Sequence, residues 1–157
     1  MNLDLIKQIL KRHEGIKLVP YLDSLGIKTI GVGWNMQANS LPDDIAQRLK
    51  VYEAITPEMA ERLLTISLNN AIKNCQEIFP SFDTVGNNRQ LALIDIVFNM
   101  GFKVRRLFPR FIHNVNIGDW QQAANELEFA DGKSILSSYV KQVGKRAYEN
   151  INLLVEG

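Results

Sequence analysis

Between Thr56 and Pro80 the chain spells out one uninterrupted helix, and this segment limits the possible folds more than any other. Thr56 is a favourable N-cap, and Pro57 is pre-set for the first helical position. From there Ala60, Leu64, Leu68, Ala71, Ile72, Cys75 and Phe79 return at helical spacing on one face, until Pro80 stops the helix. A span of about 22 residues is roughly 33 Å long at 1.5 Å per residue. A helix of that length in the middle of 157 residues joins an N-terminal flank to a C-terminal one, and the two flanks differ in kind.

The N-terminal flank starts with a helix. Asn2 can cap it, Ile6, Ile9, Leu10 and His13 recur at helical spacing, and Gly15 stands where a terminating glycine belongs. Ile16 to Asp23 is extended in character. Its Pro20 is compatible with an edge strand and not with a central one. Asp23-Ser24-Leu25-Gly26 has type I turn chemistry, and the β-branched, glycine-punctuated run from Lys28 to Trp34 is a second strand. A helix followed by a small antiparallel hairpin is expected, with a polar break from Asn35 to Pro42.

The C-terminal flank is helical. Residues 88–100 are apolar on nearly every side, which places that helix at the centre of a bundle, and Gly101 ends it. Shorter amphipathic segments come next at Val104–Phe108, Pro109–Val115, Asp119–Phe129 and Ile135–Lys141, and a last helix starts at Lys145. The fold class is α+β: a small antiparallel sheet lobe and a helical C-terminal lobe joined by a long helix. One domain over 1–157 is expected, with an N-terminal lobe at about 14–56, the linking helix at about 57–79, and a helical lobe at about 81–157 on which the first helix packs.

Composition removes several function classes. The 18 Lys+Arg against 17 Asp+Glu leave a net charge of +1, without the basic excess of a nucleic-acid binder. The single cysteine, Cys75, excludes an internal disulfide and a paired-cysteine zinc site. His13 and His113 are far apart and no H-E-x-x-H occurs, so no metal or other cofactor is expected. Gly31-Val32-Gly33 lacks the continuation of a phosphate-binding loop, and no G-x-S-x-G elbow occurs. Lys103, Arg105, Arg106 and Arg110 are read as a solvated face, with contact to an anionic polymer as the alternative, and Asp95 as a satisfied buried or capping carboxylate. No basic and apolar leader opens the chain and no run is long enough to span a bilayer, so synthesis in a reducing cytoplasm without stable membrane insertion is expected.

Three residues remain with chemistry to offer. Glu14 closes the first helix, where the partial negative charge of the helix end opposes ionisation; a protonated carboxyl is what a general acid requires. Asp23 is at a strand-to-turn junction, a wetter place that suits an ionised carboxylate. Thr29 offers a hydroxyl from the facing strand. Two carboxyls in different environments can cleave a glycosidic bond, one protonating the leaving oxygen and the other activating water or stabilising positive charge. On spacing alone, a Glu at a helix end and an Asp in a turn are ordinary surface residues.

The full pattern is more specific. Glu14-Gly15, then Tyr21-x-Asp23-x-x-Gly26-x-x-Thr29-Ile30-Gly31-x-Gly33, resembles the active-site segment of the T-even phage-type lysozymes (endolysins, glycoside hydrolase family 24). Arg89 to Gly101 is similar to that family's central buried helix, and fainter likeness runs through Asp119 to Ala124 and Tyr139 to Ala147. The resemblance implies a lysozyme-like fold and hydrolysis, with inversion, of the β-1,4 bond between N-acetylmuramic acid and N-acetylglucosamine. It implies that Glu14 is the acid, Asp23 the base or charge stabiliser and Thr29 the water-positioning hydroxyl. Phe98, Asn99, Tyr139 and Arg146 match substrate-binding positions, and Arg146 also matches a basic residue that approaches the catalytic Glu. Phe111 and Glu126 replace the small polar residues that the family can use to hold saccharide, and Trp34 stands where its best-known member has His.

The partners implied are peptidoglycan and a separate holin-type permeabiliser, for a monomer that lyses a bacterial host. Tyr21 is read as core and Tyr139 as evenly balanced between core and cleft wall. A wall-binding module without turnover would hold sacculi and release no reducing ends. A lytic transglycosylase would leave 1,6-anhydro ends.

Overall fold

The computed structural model describes all 157 residues, Met1–Gly157. The order of elements is α1 (Leu3–Glu14), β1 (Lys17–Leu22), β2 (Lys28–Gly31), β3 (Trp34–Asn35), α2 (Asp43–Tyr52), α3 (Pro57–Ile78), α4 (Asn87–Met100), α5 (Lys103–Leu107), α6 (Pro109–Ile117), α7 (Trp120–Glu128), α8 (Ser138–Val143) and α9 (Lys145–Glu156). This is the expected α+β architecture. The chain divides into two compact units: Asn2–Asn69 is one, and Asn70–Gly157 with Met1 is the other, so that α3 runs from the first into the second. α1 belongs to the same unit as the strands.

In the first unit, the Asn2 side chain accepts a hydrogen bond from the Leu5 N–H (3.1 Å) and starts α1, and Gly15 at φ 73° ends it. The three strands are antiparallel in the order β1-β2-β3, which puts Pro20 on an edge strand. Tyr21 faces Thr29 across the first pair, and Thr29 faces Asn35 across the second. The third strand was not legible as a separate element. It exists because the Val32-Gly33 step, flanked by positive φ at Gly31 and Gly33, folds the run from Lys28 to Trp34 back on itself. Ile30, Trp34, Ile45, Ile55, Ala60 and Leu63 form the core of this unit. Lys7 and Lys11 of α1 both pair with Glu61 of α3, which ties the first helix to the long one.

α2 falls on a stretch that carried no helical expectation. Only Ile45 is buried on it, so its apolar periodicity is faint; the remaining signals are Pro42 at the N-cap and Asp43 and Asp44 in the first turn. α3 begins and ends within a residue of its expected limits, and its Thr56 Oγ1 accepts from the Met59 N–H (3.2 Å).

In the second unit α4 is buried over Ala92–Val97 and packs against α9, while α7 packs against both α6 and α9. Between α4 and α9 lies a polar cluster. Arg146 donates to both oxygens of Asp95, from Nε and Nη2, each at 2.9 Å. Asn150 Nδ2 donates to Asp95 Oδ2 (2.6 Å) and to the Tyr139 hydroxyl oxygen (2.8 Å). Asp95 is therefore the satisfied buried carboxylate expected of it. α8 starts three residues later than its periodicity suggests. Asp131 Oδ1 accepts from the N–H groups of Lys133, Ser134 and Ile135, which commits that stretch to a tight turn closed by the Phe129–Leu136 bridge. No helix is long and apolar enough to cross a membrane.

Candidate active site

Glu14 is the last residue of α1, with its side chain partly buried. The chain turns away immediately after it through Gly15. Its carboxyl fills the space a side chain at Gly33 would take: a Cβ built on Gly33 would stand 3.1 Å from Glu14 Oε2, 3.2 Å from Cδ and 3.4 Å from Cγ.

Asp23 sits at the mouth of the β1–β2 hairpin. Its Oδ1 accepts from the N–H of Leu25 (2.8 Å) and of Ile27 (2.9 Å), the side-chain mimic of a turn that Asp favours. Its other oxygen, Oδ2, makes no hydrogen bond within the protein. The expected turn is present, with Gly26 N–H donating to the Asp23 carbonyl (3.0 Å). Thr29 is 3% exposed, and its hydroxyl donates to the Ile27 carbonyl (2.8 Å). The same carbonyl accepts the Asp23 N–H (3.0 Å), so a single acceptor fixes Asp23 and Thr29 relative to each other. With its proton spent on Ile27, Thr29 Oγ1 presents only lone pairs to anything further.

Tyr21 joins the two carboxylates. Its phenol is raised above the ordinary 10.0, first by burial, then by the negative charge of Glu14, then by that of Asp23. Both carboxylates therefore act on one partly buried hydroxyl, which stands on β1 directly opposite Thr29. The expectation of Tyr21 as a core residue is corrected: its side chain is only partly buried, with Lys17 Nζ 5.5 Å from the ring centroid. Tyrosine spacing alone does not distinguish these cases.

The four residues matched to substrate positions separate into two pairs. Phe98 and Asn99 are partly buried in the last turn of α4. Tyr139 is 1% exposed and Arg146 is 8% exposed. At that burial Tyr139 has no ring face to offer a sugar; it is a core residue whose hydroxyl is taken by Asn150, and Arg146 grips Asp95 in the same cluster. Phe111 is likewise core, edge-on to Phe79 with ring centroids 6.0 Å apart, and Glu126 pairs with Arg110 (2.8 Å). The helical unit has a pocket of about 350 Å³ beside these two, bounded by Arg106, Phe108 and Ser137 among others. The basic cluster is a solvated face, as expected, with Arg105 paired to Glu77. No three His, Cys, Asp or Glu side chains gather as a metal site.

A helix-end carboxyl, a turn carboxylate with one open oxygen and a hydroxyl locked beside it are the kinds of group that acid–base cleavage of an acetal uses in glycoside hydrolases. The family model of phage lysozyme matches residues 11–148, and the chain belongs to that family. It is 31% identical over 139 residues to Probable T4-type lysozyme 1 of Dictyostelium discoideum, covering 78% of this chain and 81% of that protein. Probable T4-type lysozyme 2 of the same organism is 27% identical over 139 residues, with the same shares covered. The pre-baseplate central spike protein Gp5 of Enterobacteria phage T4 is 30% identical over 131 residues, which cover 74% of this chain and 23% of that much longer protein. The protein is a lysozyme-type glycoside hydrolase, and its substrate is peptidoglycan.

Proposed function

We propose that the protein hydrolyses the β-1,4 linkage between N-acetylmuramic acid and N-acetylglucosamine with inversion, using Glu14 as general acid, Asp23 as general base and Thr29 as the group that aims the water. The observation that carries this reading is the lock between Asp23 and Thr29 through the Ile27 carbonyl, with Asp23 Oδ2 left open. A water between them gives one proton hydrogen bond to Asp23 Oδ2 and the other to Thr29 Oγ1, whose lone pairs are available. Its own lone pair then points out toward the anomeric carbon. As the glycosidic bond breaks, Glu14 delivers its proton to the leaving oxygen. Asp23 takes a proton from the water as the new C–O bond forms, and its charge offsets that of the oxocarbenium-like transition state.

Lysis of a bacterial host, by a monomer made in its cytoplasm and released by a holin-type permeabiliser, is the biological setting this chemistry suits. Glu14→Gln is expected to lower turnover on purified sacculi by about 10²–10⁴-fold, and Asp23→Asn by a similar factor, measured as reducing ends released. Wild-type rates in either variant would reject the assignment, and capture of sacculi with no reducing ends from the wild-type protein would make it a binding module.

A further inference from the structure

We propose that Gly33 is a positioning residue for the catalytic acid: the absence of a side chain there, on the β2–β3 turn, leaves the Glu14 carboxyl the room it occupies. Two separate observations make the position glycine-only. Its φ of +69° belongs to the left-handed region that side chains disfavour. Independently, an added Cβ would press on three consecutive atoms of one side chain, Cγ, Cδ and Oε2 of Glu14, at 3.1–3.4 Å. The second feature is unusual among the glycines of this chain. Gly15, Gly26, Gly101, Gly118 and Gly144 have positive φ as well, and a Cβ there would meet nothing within 4 Å. Gly31 would make only ordinary contact, 3.7 Å from Ala60 and Leu63. Only at Gly33 does the missing side chain leave room for a candidate catalytic group.

The consequence is geometric. Glu14 is the final helical residue of α1, and the chain leaves the helix through Gly15 directly after it. The carboxyl, on the side of Oε2, takes the space that any side chain at Gly33 would enter. A Cβ there would displace that oxygen by a few tenths of an ångström or turn the carboxyl away. Proton transfer to a leaving oxygen depends steeply on such displacements.

This inference rests on the reading of Glu14 as the acid, so the test is a double-mutant cycle with a strain control. Gly33→Ala is expected to lower kcat about tenfold with KM changed less than threefold. Gly118→Ala, which imposes the same left-handed strain with no contact on a glycine remote in sequence, is expected to lose as much thermal stability and to keep wild-type kcat. In the Glu14→Gln background, where no acid remains to be aimed, Gly33→Ala is expected to cost less than twofold. A full tenfold loss in that background would show that the added methyl obstructs substrate, and it would overturn the inference; so would wild-type kcat in Gly33→Ala. An active Glu14→Gln enzyme would instead defeat the assignment of the acid, an outcome the cycle reports separately.

Discussion

Tyr21 reports on the site at the scale of a single residue. Its phenol is held above the ordinary value by burial and by two negative charges, and the two charges belong to Glu14 and Asp23. Neutralising either one must therefore bring the phenol down, while the contribution of burial remains. Alkaline difference spectroscopy is expected to show a Tyr21 titration that moves toward 10 in Glu14→Gln and, by a smaller amount, in Asp23→Asn. A Tyr21→Phe control identifies the signal. An unmoved titration in both variants would mean that the phenol does not share a site with the carboxylates. At this scale the sequence was most informative where backbone chemistry is local. Asp23 and Gly26 declare their turn because an Asx carboxylate and a left-handed glycine have few other uses. Burial was the hidden quantity: Tyr21, Tyr139 and Arg146 differ in what covers them, and covering is set by elements distant in sequence.

At the scale of elements, α1 has to be held firmly for Glu14, at its end, to serve as an acid. The hold on α3 is the Lys7–Glu61–Lys11 cluster. The hydrogen bond from Lys11 first, then that from Lys7 and the charges of both, keep the Glu61 carboxyl below its ordinary 4.5 against an opposing effect of burial. A depressed carboxyl contributes stability that is full above the unfolded value and lost as pH falls through the folded one. Glu61→Gln is accordingly expected to cost about 0.5–1 kcal/mol at pH 7, since the group is part-exposed, a drop of about 2 °C in melting temperature. The gap from wild type is expected to close in acid, below the lowered value; thermal melts at pH 7 and pH 3 check both halves. The helices themselves were legible where one face is regularly apolar, as in α3 and α4, and where caps are explicit, as at Asn2 and Thr56. α2 was not, because a helix that buries only Ile45 leaves almost no periodic trace. β3 was not, because two residues cannot show alternation. α8 shifted because Asp131 binds three successive N–H groups in a turn, local chemistry that apolar spacing does not register.

For the whole molecule, the division of labour mirrors the division of the chain. Every group assigned to the chemistry, Glu14, Asp23 and Thr29, together with Tyr21 and Gly33, lies in the unit Asn2–Asn69. The unit Asn70–Gly157 is organised around a buried helix, α4, and its ionic cluster with α9. Fold class and family were readable because they rest on patterns spread over the entire chain. The burial of Tyr139 and Phe111, at positions matched to saccharide, was not readable, because both are enclosed by elements of their own unit that are distant in sequence. The central claim is that a water held by Asp23 and Thr29 attacks the anomeric carbon while Glu14 protonates the departing oxygen. The most direct test is proton NMR of the newly formed reducing end during the first minutes of digestion of soluble glycan strands, before mutarotation. The account predicts that the α-anomer appears first, the outcome of a single inverting displacement on a β-linkage. First appearance of the β-anomer, or of a 1,6-anhydro end, would contradict it.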